Sequence, residues 1–447
     1  MKKTLRMALV VIVVVAAGLA WFVTRTPASV FDGVAEADAP SAELVRQGEY
    51  VARLGDCVAC HGTPASKPFA GGLEMGTPLG AIYTTNITPD EQTGIGRYTL
   101  ADFDRAMRHG VARDGHRLYP AMPYPSYQKM SDDDIRALYA FFMHGVPAVA
   151  EQNRPTEIPW PLNIRWPLAL WNAVFARSSD YQAGSDALLQ RGAYIVQGAG
   201  HCGSCHTPRG LAMNEKALDE RSPLYLSGAL LDGWYAPSLR NDPNTGLGRW
   251  SEEDIHAFLK NGRNQHAVVT GSMADAFNNS TQFMSDDDLE AIAHYLKSLP
   301  GDPQRDGAPW QYDEQTLAKL AIGNRQQIAG AETFVAKCSF CHGADGRGQN
   351  QWIPPLAGAA SSLAEHNDSS INVTLNGSPR VVAQGIPDSY RMPPYRAQLS
   401  DQEVADVLSF VRSAWGNHGG AVSAEEVKTL RGHTDPASSE VRVLQMR

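Results

Sequence analysis

The sequence predicts an all-α chain of three tandem domains behind an N-terminal hydrophobic helix. Three observations carry that expectation: an uncharged apolar run near the start, a Cys-x-x-Cys-His string that occurs three times, and a serine-capped helical pattern that recurs after each string. The length of 447 residues suits three domains at roughly 150 residues each, and a hydrophobic share of 43% is ordinary for globular protein. A formal charge of -9 without a clustered basic face argues against nucleic acid as a partner.

The apolar run comes first. Lys2, Lys3 and Arg6 precede an uncharged stretch from Met7 to Val23, followed by Thr24 and Arg25. That stretch sits at the short end of the roughly 17 to 25 residues that span a bilayer, and its basic flank belongs on the cytoplasmic side. Residues 1–25 therefore read as a signal peptide or a membrane anchor. Gly18-Leu19-Ala20 offers small residues to signal peptidase, whereas Trp21-Phe22 suits an interfacial belt. Either way, the remainder is expected outside the cytoplasm.

All six cysteines fall in Cys57-Val-Ala-Cys60-His61, Cys202-Gly-Ser-Cys205-His206 and Cys338-Ser-Phe-Cys341-His342, so none is left for a disulfide. This spacing is the attachment signature of c-type haem: two thiols meet the two vinyl groups of one porphyrin edge, and the adjacent imidazole becomes the proximal iron ligand. A zinc site or a redox dithiol also uses Cys-x-x-Cys. Zinc lacks a second ligand pair nearby, and the helical, loop-rich surroundings are not the βαβ setting of a dithiol. Three copies in an exported chain point to three covalently bound haem c groups.

The motifs belong to a longer repeat. Amphipathic helices are expected before each, over Glu43–Leu54, Ala187–Gln197 and Ile328–Lys337. Ser131, Ser285 and Ser400, each followed three residues later by a carboxylate (Asp134, Asp288, Glu403), read as capping boxes that open closing helices running to about Met143, Lys297 and Ala414. The resulting domains are 42–148, 184–300 and 326–416. A Pro/Trp-rich linker occupies 149–183, a polar linker 301–325, and a polar tail 417–447, with one short helix near Ala424 to Leu430.

An electron-transfer haem takes a second axial ligand, most often methionine, from the loop ahead of the closing helix. Met130, Met284 and Leu399 immediately precede the capping serines and read as packing residues of a hydrophobic staple. Met122, Met273 and Met392 remain as ligand candidates. Prolines brace Met122 and Met392; Met273 has no such bracing. His109, His116, His256, His266 and His366 are competing candidates, or else loop and solvent residues. Arg97 and Arg249, in the matching strings Gly94-Ile-Gly-Arg97 and Gly246-Leu-Gly-Arg249, are propionate partners or surface arginines.

The linker from Arg154 to Trp171 is dense in proline and tryptophan. It reads as an ordered strap between two domains, or as a patch facing a partner or lipid.

Arg53-Leu-Gly-Asp-Cys57, Tyr119-Pro-Ala-Met122-Pro-Tyr, Asn163-Ile-Arg165 and Gly233-Trp-Tyr-Ala-Pro237 together resemble the triheme cytochrome c subunits of bacterial membrane-bound periplasmic dehydrogenases, those oxidising alcohols, gluconate or aldehydes. The similarity runs from about Ala42 to Trp415. It implies axial pairs His61/Met122, His206/Met273 and His342/Met392. It also implies a large partner subunit carrying pyrroloquinoline quinone, flavin or molybdenum cofactor, and a quinone or terminal oxidase as acceptor. The implied place is the periplasmic face of the inner membrane, with no catalytic residue on this chain. Some members of the family attach to the membrane through C-terminal amphipathic helices, which this tail does not clearly provide. The rivals are a multihaem peroxidase with an open iron site and a free-standing periplasmic carrier.

Overall fold

The apolar run forms one continuous helix, Lys2–Thr24, because nothing in it breaks the helix and its side chains carry no competing polar groups. In the computed structural model, which describes residues 2–34, 39–63, 66–177, 185–231, 233–379, 381 and 387–436, it is the one helix long and apolar enough to cross a membrane among those residues. Linker residues 178–183 and tail residues 437–447 lie outside the described set.

The opening helices are Ala42–Leu54, Ala187–Tyr194 continued by a π turn Ile195–Ala199, and Ala331–Lys337. The closing helices are Asp132–Ala140 continued by a π turn Phe141–Gly145, Asp286–Ser298, and Asp401–Ser413. Each opening helix crosses its closing helix at a glycine. A Cβ on Gly48 would stand 1.9 Å from the Ala137 carbonyl oxygen, on Gly192 2.0 Å from that of Ala291, and on Gly330 2.1 Å from that of Asp406. Only hydrogen fits there, which explains the glycine in the matching strings Arg46-Gln-Gly48 and Arg191-Gly192.

The capping serines accept from the expected amides, Asp134, Asp288 and Glu403. Only Ser400–Glu403 closes into a full capping box, however. In the first two repeats the carboxylate turns away to a tyrosine of the other repeat. Tyr50 donates to Asp288 at 2.6 Å and accepts from the Ser285 amide at 3.0 Å; Tyr194 donates to Asp134 and accepts from the Ser131 amide at 3.1 Å. These reciprocal contacts join the two repeats as pseudo-twofold partners.

Buried side chains follow that pairing. One large core runs from Phe31 through Leu54, Leu138, Ile195 and Tyr295 to Leu299, spanning both of the first two repeats. The third repeat has a separate core, from Leu320 through Phe334, Val411 and Trp415 to Leu430. The tail helix extends over Ala424–His433 and belongs to that core through Val427 and Leu430, with Arg431 paired to Asp401 at 2.6 Å.

The all-α expectation needs one amendment. Two antiparallel hairpins, Glu74–Thr77 with Gly80–Tyr83 and Ala229–Leu231 with Trp234–Ala236, lie in the loops after the first two cysteine motifs. The second touches the third repeat: the Tyr235 amide donates to Ser369 Oγ at 2.8 Å, and Asn372 Nδ2 to the Gly233 carbonyl at 2.9 Å.

Candidate functional site

Each Cys-x-x-Cys-His string folds into a single helical turn. The histidine amide donates back to the first cysteine's carbonyl in all three: His61 to Cys57 at 2.9 Å, His206 to Cys202 and His342 to Cys338 at 3.0 Å. Positions i, i+3 and i+4 share one face of a helical turn, so both thiols and the imidazole address the same side.

Every one of these histidines donates its Nδ1 hydrogen to a backbone carbonyl: His61 to Thr85 at 2.7 Å, His206 to Pro237 at 2.7 Å, and His342 to Pro354 at 3.0 Å. A carbonyl oxygen can only accept, so the proton sits on Nδ1 and the Nε2 lone pair is free for a metal. Burial lowers all three pKa values against the opposing carbonyl bond, which keeps the rings neutral as a ligand requires. The spacing from histidine to acceptor is 24, 31 and 12 residues, so no sequence period announces these carbonyls.

The thiols are not those of a redox dithiol. Burial pushes Cys57 and Cys202 up to about 12 and Cys205 and Cys338 to about 11, where a reactive pair would be depressed. Among the described residues no cluster of three His, Cys, Asp or Glu side chains suits a zinc ion. Two half-buried thiols beside an imidazole held by its Nδ1 fit covalent haem c.

The three methionines lie half-buried, as a ligand reaching into a cleft would. Met122, like Cys57, packs against the large core. Met392 is clamped by Ser378, whose hydroxyl accepts from the Met392 amide at 2.9 Å and whose amide donates to the Met392 carbonyl at 3.1 Å. Three residues on, Tyr395 returns to the third motif by donating to the Lys337 carbonyl at 2.8 Å. Met273 opens a short helix, Met273–Asn279. Met130, Met284 and Leu399 are buried, as staple residues should be.

Known proteins resemble this chain over most of its length. A cytochrome c family model matches residues 189–300 and 327–415. The cytochrome c subunit of the quinone alcohol dehydrogenase of Gluconacetobacter polyoxogenes is 51% identical, over 92% of this chain and 89% of that one. The gluconate 2-dehydrogenase cytochrome c subunit of Pantoea cypripedii is 49% identical over 87% and 89%, and the fructose dehydrogenase cytochrome subunit of Gluconobacter japonicus 36% over 87% and 82%. The chain belongs to the family of dehydrogenase cytochrome c subunits.

Such a subunit transfers electrons and leaves substrate oxidation to another. This cytochrome c subunit brings its first two motifs together. His201 Nε2 lies 3.2 Å from the Gly55 carbonyl, Tyr127 packs edge-on against the His201 ring at 5.7 Å, and the helix Met273–Asn279 packs on the Cys57–Cys60 turn. Cys60 and Cys205 stand near enough that charge on the second would raise the pKa of the first.

Four of the five competing histidines have side-chain contacts of their own. His266 stacks on Trp250 at 5.2 Å and bonds Asp254; His116 pairs with Asp114, His256 with Asp286, and His366 lies against Tyr235. His109 is held half-buried, with its carbonyl accepting from Asn172. Arg97 is exposed. Arg249 bridges to the third repeat: it donates to the Gly358 carbonyl and lies 5.2 Å over Trp310.

Proposed function

We propose that this subunit carries three haem c groups, on Cys57/Cys60, Cys202/Cys205 and Cys338/Cys341. His61 and Met122, His206 and Met273, and His342 and Met392 would hold the three irons. The carrying observation is the threefold repetition of one arrangement: a Cys-x-x-Cys-His turn whose imidazole donates Nδ1–H to a backbone carbonyl. When bound, each haem supplies a one-electron centre, and a methionine sulfur opposite the imidazole favours its reduced form.

The chain's own residues hold the imidazoles, keep the thiols on one edge, and pack the first two sites against each other through Tyr127, His201 and Gly55. Domains 42–148, 184–300 and 326–416 then form a relay. Electrons enter from a large catalytic dehydrogenase subunit of pyrroloquinoline quinone, flavin or molybdenum type and leave to quinone or a terminal oxidase. The relay works at the periplasmic face of the inner membrane, a reading supported by the helix Lys2–Thr24, which serves as a retained anchor or as the signal that took it there.

The test is purification from membranes in mild detergent, with haems counted by mass and haemochrome spectrum and every co-purifying subunit identified. Three haems and a stoichiometric dehydrogenase subunit are expected. Fewer haems, or a chain that always comes alone, would overturn the reading.

A further inference from the structure

The strap after the first repeat has two unlike sides. Its polar groups are pinned inward: Asn172 Oδ1 accepts from Tyr124 at 2.6 Å, Trp171 Nε1 donates to the Ala212 carbonyl at 2.8 Å, and Arg165 donates to the Arg117 carbonyl at 2.9 Å while lying 3.6 Å over Tyr119. Its apolar side chains face out. Trp160 is 79% exposed, Val174 66%, and Leu162, Ile164, Trp166 and Leu170 are exposed beside them. Leu211, next to the residue that receives Trp171, extends the same surface and is fully exposed. A fixed apolar face of this extent on a well-anchored segment marks a binding surface.

Two observations say what covers it. The strap helix Leu168–Phe175 packs on the apolar helix Lys2–Thr24, whose half-buried residues are Phe22 and Val23 in its last turn. That junction is fixed to the first repeat, since Arg117 donates to the Arg25 carbonyl and Arg105 to that of Pro27. The strap therefore lies where the helix leaves the bilayer. Its chemistry suits that level: from Ile158 to Arg177 there is no acidic residue, the charges being Arg165 and Arg177, and two exposed tryptophans accompany the aliphatic side chains.

We infer that residues 160–175 are an interfacial membrane contact, seating Trp160, Trp166, Leu170 and Val174 among the headgroups of the bilayer beside Lys2–Thr24. This rests on the membrane placement proposed above. With the helix it makes two attachments, which orient the first haem repeat relative to the bilayer where a single helix would let it swivel.

The experiment uses the full-length holoprotein in phosphatidylethanolamine/phosphatidylglycerol vesicles doped with a phospholipid bearing a diazirine near its headgroup. After photolysis, mass spectrometry locates the adducts. Adducts are expected on the tryptic peptide Trp166–Arg177 as well as within residues 7–23. The double substitution Leu170→Glu, Val174→Glu should abolish the former, leaving haem content and the 7–23 adducts unchanged. Labelling confined to 7–23 would overturn the strap proposal and leave the anchor standing. No labelling anywhere would overturn both. A strap that crosslinks to a co-purified dehydrogenase subunit and not to lipid would be a subunit interface, and the proposal would fail.

Discussion

Nδ1 of His61, His206 and His342 is where local chemistry is most tightly specified, because a donated proton there fixes both the tautomer and the direction of Nε2. The sulfur opposite each imidazole is the complementary test. Met122→Ala, Met273→Ala and Met392→Ala should each remove about one third of the weak far-red sulfur-to-iron absorption. Each should also lower one of three potentials by ~0.1 V or more, within the roughly 0.8 V that axial ligation spans. Redox titration of each variant checks this; three unchanged potentials in Met273→Ala would mean that another side chain, such as a histidine, holds the second iron. The thiols, imidazoles and staple methionines were legible in the sequence because their spacing is short and local. The carbonyl acceptors and the bridging role of Arg249 were not, since each partner arrives from a distant loop whose path no local pattern encodes.

At the scale of elements, Tyr50 and Tyr194 show how a local motif is overridden by packing. The serine caps were readable from sequence, yet Asp134 and Asp288 serve the other repeat, a choice only the assembled pair of helices can dictate. Tyr50→Phe should cost about 1.5–3 kcal/mol, because the lost hydrogen bond goes to a charged carboxylate; chemical denaturation measures it. Burial works to raise the Asp288 pKa, but the hydrogen bonds from Arg191 and Tyr50 outweigh it and hold the carboxyl below its ordinary value. The sign follows from linkage: this stabilisation is complete above the unfolded value of about 3.9 and is lost as pH falls through the lower folded value. Asp288→Asn should thus flatten the acid side of the stability profile below about pH 4. Gly48→Ala drives a methyl into the Ala137 carbonyl and should cost about 3 kcal/mol, the upper end of overpacking. The hairpins went unread although Asp232-Gly233 is a turn signal, because three- and four-residue strands are too short to show alternation.

For the whole molecule, the sequence repeats in threes while the large buried cores of the described residues number two. A repeat is visible as spacing; the sharing of a core between the first two copies depends on which surfaces meet, and the similar intervals between motifs say nothing of that. The consequence is thermal. Trp415 is fully buried between Phe334 and Phe410, with its indole donating to the Ala344 carbonyl at 3.1 Å and its amide to Thr316 Oγ1 at 2.7 Å. Removing it by Trp415→Ala should cost about 3–5 kcal/mol, but only to the third repeat's core. The two cores meet through Arg249, Tyr235 and Asn372, through Arg263 on Trp352 and the Pro387 carbonyl, and through a small cluster of Val269, Phe277 and Val381; Tyr50 belongs to none of these contacts, so its change and that of Trp415 should add independently. Scanning calorimetry of the holoprotein should then resolve two transitions. Trp415→Ala should lower one and leave the other in place, while Tyr50→Phe does the reverse. If both substitutions instead move a single common transition, the contacts across Arg249 and the second hairpin couple the cores more strongly than their separation implies. Arg249→Ala would then be expected to split that transition in two.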